Sequence, residues 1–195
     1  MDKQLTTLHQ ATLLAIARKA IETCVLTGKS TIESTKDPAL NTRLGCFVSI
    51  KQNGQLRGCI GKFQPQWPLY QEVAEMACAA ATQDPRFYPM GKEDLDNFLI
   101  EISILSPLEK INDTNDIQVG LHGIYLEKGS YRGVLLPQVA VEHQWDRTMF
   151  LRQTCIKAGL PTNAWQSEDT DIFIFTAQVF AETDLGNDTP SAAHS

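Results

Sequence analysis

No apolar run in the chain approaches the ~20 residues that a bilayer-spanning helix needs, so a transmembrane helix is not expected. The first residues, Met1-Asp-Lys-Gln, have neither the basic start nor the apolar core of a secretory signal, and a cytoplasmic location is the default expectation. Cationic charge is in short supply. Seventeen Lys and Arg face 23 Asp and Glu, a formal charge of −6, which argues against a dominant nucleic-acid interface, because phosphate neutralisation needs a basic surface. Cys-x-x-Cys and His-x-x-x-His are missing, so nothing asks for a metal. The Gly-x-x-x-x-Gly-Lys phosphate loop, the dinucleotide glycine fingerprint and the Gly-x-Ser-x-Gly elbow are missing as well. There is no internal repeat. These absences leave the identity of any cofactor unknown.

The chain has 195 residues, 43% of them hydrophobic and 21% charged. That is ordinary for a globular protein and enough for one domain, or one domain with a small subdomain. Its five cysteines are Cys24, Cys46, Cys59, Cys78 and Cys155. An odd number without paired spacing reads as free thiols rather than a disulfide framework. Cys24, Cys78 and Cys155 fall on the apolar sides of helical patterns, where core packing is expected.

The most informative stretch runs from Arg43 to Phe63. Two apolar, partly β-branched runs flank Asn53-Gly54, a pair that tolerates the positive φ of a type I′ hairpin turn. A two-residue loop sets Gln52 opposite Gln55, Ile50 opposite Arg57 and Val48 opposite Cys59. Side-chain alternation then puts Arg57, Cys59 and Gly61 on one face with Cys46, Val48 and Ile50. Cys46 and Cys59 share that face without being directly opposed, and a disulfide between them is not the favoured expectation. Gly58 and Gly61 weaken a strand and leave its backbone uncovered, which suggests that something approaches closely there. A guanidinium beside Cys59 would favour the thiolate; the plainer reading is a small buried cysteine with Arg57 paired to a structural carboxylate.

Along the rest of the chain, residues Leu5 to about Leu26 read as a helix with Thr7 and Gln10 at capping-box spacing and Gly28 as its stop. Residues 28–42 read as a loop. Pro68 suits the start of a second helix that runs to about Gln83, and its Ala77-Cys-Ala-Ala-Ala81 run permits close approach to a sheet. Asp84-Pro85 ends it. Phe98 to Leu105 alternates as a strand, with Glu101 and Ser103 off the core face. Residues 107–116 read as turn-rich. Gly129-Ser130 reads as a type II′ hairpin turn, and 137–142 has no clear type. Asp146 suits the N-cap of a helix from Arg147 to Ala158. Residues 171–181 carry apolar side chains on both parities, as one strand covered on both faces would. Glu182 onward reads as a polar tail.

Five segments, in order, resemble the AMMECR family: Leu56-Arg-Gly-Cys-Ile-Gly61, Asp84-Pro-Arg-Phe87, Ile100-Glu-Ile-Ser-Ile-Leu-Ser106, Leu135-Leu-Pro-Gln-Val139 and Cys155-Ile-Lys-Ala-Gly-Leu160. Bacterial and archaeal members of that family are called AmmeMemoRadiSam system protein A. The resemblance runs from about Gly45 to Glu182. Lys62-Phe63 departs from it, since members often carry a smaller polar residue first. The resemblance implies an α+β fold, a mostly antiparallel sheet with helices packed on it plus a smaller subdomain, as one domain over 1–182 with a tail over 183–195. It also implies work alongside a Memo-type protein and a radical-SAM protein. It supplies no reaction.

Two functional readings follow. In the first, the protein is a cytoplasmic enzyme with Cys59 as a reactive thiol in a cleft, His122 as base because imidazole titrates near working pH, and Glu101 to orient or pair, aimed toward Arg57. Arg57, Gly58, Gly61 and Arg86 would then bind substrate. In the second, the Leu56–Gly61 strand offers its backbone as a non-catalytic docking edge for a partner protein, with Trp67, Phe87 or Trp145 as anchors, or binds a small anionic ligand.

Overall fold

The computed structural model describes residues 4–30, 32 and 34–187. The described residues form two compact units, one from the stretch up to Ile104 together with 178–187, the other Leu105–Ala177. Residues 188–195 of the expected tail lie outside the described residues.

The first unit opens with helix α1, Thr7–Thr27. Thr6 caps it by accepting from the His9 N–H, while His9 Nδ1 accepts from the Thr6 N–H. The capping box thus sits one residue earlier than the Thr7/Gln10 pair, with histidine in the place usually held by Glu or Gln. Gly28, at φ +71°, closes the helix by donating to Cys24 O.

Strands β1, Cys46–Gln52, and β2, Gln55–Lys62, form the hairpin. Asn53 and Gly54 both have positive φ, 53° and 75°, as the type I′ turn requires. The expected register holds for the two pairs nearest the turn, Gln52 with Gln55 and Lys51 with Leu56. Beyond them, Ile50 pairs with Gly58 and Ser49 with Cys59, so Arg57 is the extra residue of a β-bulge. A one-residue slip moves every later side chain to the other face. Cys59 and Gly61 therefore lie on the face of Phe47, Ser49 and Lys51, not with Cys46, Val48 and Ile50. The cause is packing. Helix α2, Leu69–Thr82, lies so close that a Cβ at position 58 would be 2.1 Å from the Ala80 carbonyl oxygen. Only glycine fits there, and the bulge is what brings Gly58 rather than Arg57 opposite Ile50.

The alanine run of α2 makes this approach, as its small side chains suggested, and Leu69, Val73, Ala77 and Ala80 are buried in the same core as Val48, Ile50 and Ile102. Cys24 of α1 and Cys78 of α2 are joined as a disulfide with Cα atoms 5.8 Å apart, which corrects the expectation of free thiols at both. Their apolar placement was legible; that the two helices face each other at these positions was not. Strand β3, Leu99–Leu105, pairs antiparallel with β1.

In the second unit, β4 (Glu109–Ile111) forms within the segment read as turns. The hairpin of β5 (Gly123–Lys128) and β6 (Tyr131–Leu135) follows, with positive φ at Gly129. Residues Pro137–Glu142 are helix α3 and Arg147–Lys157 are helix α4, whose N-cap Asp146 accepts from the Met149 N–H. The segment read as one long strand is two. Strand β7 (Asp171–Phe175) and strand β8 (Ala177–Ala181) part at Thr176 and enter different sheets. The first unit's sheet has the order β2-β1-β3-β8 and the second unit's has β4-β7-β5-β6. Glu182 does not begin a frayed tail: its carboxylate accepts from Arg18 Nε at 2.6 Å, Arg18 Nη2 at 2.7 Å and the Ile100 N–H at 2.9 Å. Among the described residues, no helix is long and apolar enough to cross a membrane.

Gly58→Ala should lower stability by about 3 kcal/mol or more, the upper end of overpacking costs, because a backbone oxygen must move to admit the methyl group. Gly54→Ala meets nothing within 4 Å and should lose only the ~1–2 kcal/mol that left-handed backbone costs a residue with Cβ. Urea midpoints of the two variants give the comparison, and equal losses would deny the packing role of Gly58.

Candidate functional site

The β-bulge decides what surrounds Cys59. On the sheet face away from α2, Cys59, Ser49 and Glu101 occupy one row across β2, β1 and β3, since Ser49 is the register partner of both others. The Ser49 hydroxyl donates to Cys59 Sγ at 3.2 Å. Lys51, two residues along β1, places Nζ 2.8 Å from Glu101 Oε2. Glu101 is thus paired with Lys51 and not aimed at Arg57, as the sequence had suggested.

The outer edge of β2 is gripped at the same residue. Asp84, buried at the end of α2, accepts from the Cys59 N–H through Oδ2 at 2.8 Å. Arg86 holds that carboxylate from the side, Nε to Oδ1 at 2.9 Å and Nη2 to Oδ2 at 2.7 Å, while Nη2 also donates to the Cys59 carbonyl at 3.2 Å. Both outward backbone groups of Cys59 are thereby satisfied, and Leu56–Gly61 does not offer them to a docking strand. The Arg86 hydrogen bond keeps the Asp84 carboxyl well below the usual carboxylate range, against the upward push of burial, with the Cys59 and Arg86 N–H groups adding to it. The Arg86 guanidinium is held charged, first by Asp84 and also by Cys59, against burial.

Arg57 is elsewhere. As the bulge residue it donates from Nη1 to the Tyr88 carbonyl at 2.8 Å and from Nη2 to Asp94 at 3.1 Å, the structural pairing that the plainer reading named. Burial alone would raise the Asp94 pKa, but the Gly91 N–H and Arg57 outweigh it and keep it low. Nor do the glycines leave a hollow. The Cβ position of Gly58 is taken by Ala80 and that of Gly61 by the Phe47 ring, 2.4 Å away. Both glycines are packing residues.

The other thiols differ from Cys59. Cys46 and Cys155 are buried, and burial pushes both thiols up. Cys46 feels Glu72 as well, a carboxylate that sequence reading missed. Glu72 is fully buried on α2, where Oε2 accepts from the Gln66 and Trp67 N–H groups and Lys62 Nζ stands 3.1 Å from Oε1, off the hydrogen-bonding direction. Lys62, the departure from the family motif, thus has a charge partner of its own. Ser49, Lys51 and Asp84 were not singled out as site residues either; the cross-strand row and the quoted Asp84-Pro-Arg86 segment were the available signals.

His122 belongs to the second unit, on the turn before β5, where Nδ1 accepts from the Gln118 N–H at 3.2 Å. His9 is tied to Thr6 and Asp37, and His143 stacks on Trp145. A cavity of about 330 Å³ in the second unit is lined by Lys110, Trp165 and their neighbours and includes none of the candidate residues. Among the described residues, no group of three or more His, Cys, Asp or Glu is placed to hold a metal.

The AMMECR1 family model matches residues 14–180. The chain belongs to the AMMECR1 family. Family relatives span nearly its whole length: protein PF1979 of Pyrococcus furiosus is 43% identical over 182 residues, 87% of this chain and 86% of its own. Protein MJ0810 of Methanocaldococcus jannaschii is 39% identical over 189 residues, 93% and 94% of the two chains. The crystal structure of the uncharacterized protein PH0010 from Pyrococcus horikoshii matches with a TM-score of 0.80 at 44% identity, covering 87% of this chain and 89% of that one. The AMMECR1 fold is therefore the α+β arrangement described above, and membership brings no established activity with it.

Asp84 links the clamp to pH. Its folded pKa lies below its unfolded value, so its contacts stabilise the fold fully above about pH 4 and that stabilisation drains away as pH falls through the lower folded value. Asp84→Asn should lose about 1–3 kcal/mol near neutrality, much of it from poorer pairing of the Cys59 N–H. Solvent screening limits the share that comes from Arg86, which is half-exposed. The variant should also lose less stability than wild type on acidification. Urea midpoints across a pH series test both; an unchanged acid limb would remove Asp84 as the pH-linked anchor.

Proposed function

We propose that this AMMECR1-family protein is a cytoplasmic group-transfer enzyme in which Cys59 accepts an electrophilic group. One observation carries the reading: of the five cysteines, Cys59 alone is both free and only half-buried, and a hydroxyl is aimed at its sulfur. Fixed backbone at Cys59 limits where the sulfur can go, and the Ser49 donor would hold negative charge developing on it. In the step envisaged, the sulfur gives its electron pair to an electrophilic carbon, the leaving group departs with the pair of the broken bond, and the thiol proton passes to solvent. Glu101, paired with Lys51, is the carboxylate of the row and takes no proton in this step. His122 takes no step in this scheme. The Memo-type and radical-SAM proteins implied by the resemblance would supply or receive the transferred group. The docking-edge alternative loses support because the outward N–H and carbonyl of Cys59 already have partners.

Native protein without reductant should be alkylated by iodoacetamide at Cys59 and spared at Cys46, Cys155 and the Cys24–Cys78 pair, as read by peptide mass mapping. Ser49→Ala should change the Cys59 rate by about two- to fivefold, the scale of one hydrogen bond. Cys59 that reacts only after urea unfolding would end the proposal.

A further inference from the structure

Two arginines belong to the neighbourhood of Cys59, and their partners separate them. Arg57 is engaged at both ends of its guanidinium and its side chain is 18% exposed. Arg86 is 54% exposed. Its Nε–Nη2 edge is fixed by buried Asp84 and by the Cys59 carbonyl, while Nη1 has no hydrogen-bond partner among the described residues. A guanidinium held on one edge by a carboxylate is preorganised, so a second anion pays little ordering entropy to bind the other side. The Asp84–Arg86 pair is neutral as a whole, so its pull on that anion is short-ranged and directional, and its effect modest.

We propose that the Cys59 site takes an electrophile bearing anionic oxygens, a carboxylate or a phosphate, and that Arg86 selects it through Nη1 while Asp84 positions Arg86. This rests on the reactive-thiol reading of Cys59. It gives Arg86 a role in specificity and leaves Arg57 to hold the 88–94 segment.

The test compares two alkylating reagents at Cys59, anionic iodoacetate and neutral iodoacetamide. With each, an S–C bond forms as the C–I bond breaks, iodide leaves, and the thiol proton goes to buffer. Arg86→Gln should lower the iodoacetate-to-iodoacetamide rate ratio by about two- to fivefold, the range for one partly exposed charge pair. Arg86→Lys should restore part of it, and Arg57→Gln should leave it unchanged. Near-UV circular dichroism confirms that each variant is folded. In wild type, which needs no variant to fold, inorganic phosphate at constant ionic strength should slow iodoacetate, and Arg86→Gln should be insensitive to it. A lowered ratio with phosphate protection assigns both anions; a lowered ratio without protection assigns the carboxylate alone. A ratio unmoved by Arg86→Gln, or lowered equally by Arg57→Gln, overturns the selection by Arg86 while iodoacetamide labelling still upholds the reactive thiol. If neither reagent modifies Cys59 in the native state, both readings fall.

Discussion

The contact between the Ala80 carbonyl and the bare backbone of Gly58 organises the first unit. It lets α2 lie directly against the hairpin, and it admits no side chain at that position. Because the residue facing the helix must be glycine, the strand inserts Arg57 as a bulge and shifts register by one. That shift moves Cys59 off the sealed side of the sheet and onto the side of Ser49, Lys51 and Glu101. Without it, the expected register would have put the thiol among Cys46, Val48 and Ile50, which are fully buried. A steric requirement behind the strand therefore determines the chemistry presented in front of it.

The Asp84–Arg86 clamp is the second consequence of the same placement. A strand edge with unpaired N–H and C=O groups invites other strands. Here the turn that follows α2 closes the edge with a carboxylate and a guanidinium at Cys59, the free cysteine that is only half-buried. The segments Leu56–Gly61 and Asp84–Phe87 are thus one structural device. Gly58 sets the distance to α2, and Asp84 at the end of α2 completes the pairing of Cys59.

Much of this was legible in the sequence where a local rule decides. Asn53-Gly54 requires its turn, Gly28 its left-handed helix stop, and Asp146 its N-cap, and all three are found. What failed depends on contacts between distant segments. The bulge answers to Ala80, more than twenty positions away, and hairpin geometry alone does not contain it. The Cys24–Cys78 bond needs the facing of two helices. Glu182 looked like a polar tail because its partners, Arg18 and Ile100, are remote in the chain. Thr176 divides an apolar run between two sheets, and apolar character on both parities does not mark such a break. At the site, Cys59 was legible as the notable cysteine, but the guanidinium beside it is Arg86, since Arg57 follows the bulge to Asp94.

The strand order β2-β1-β3-β8 has a bearing on synthesis. Strands β3 and β8 are sheet neighbours, yet residues 106–176, all of the second unit but its two end residues, are made between them. As the chain leaves the ribosome, β3 must wait with one flank open until the inserted unit has emerged. An open flank of this kind is a template for wrong pairing. The logarithmic growth of closure entropy with length makes the wait tolerable on thermodynamic grounds. The carboxylate just after β8 then fastens the late-arriving strand to the earliest helix.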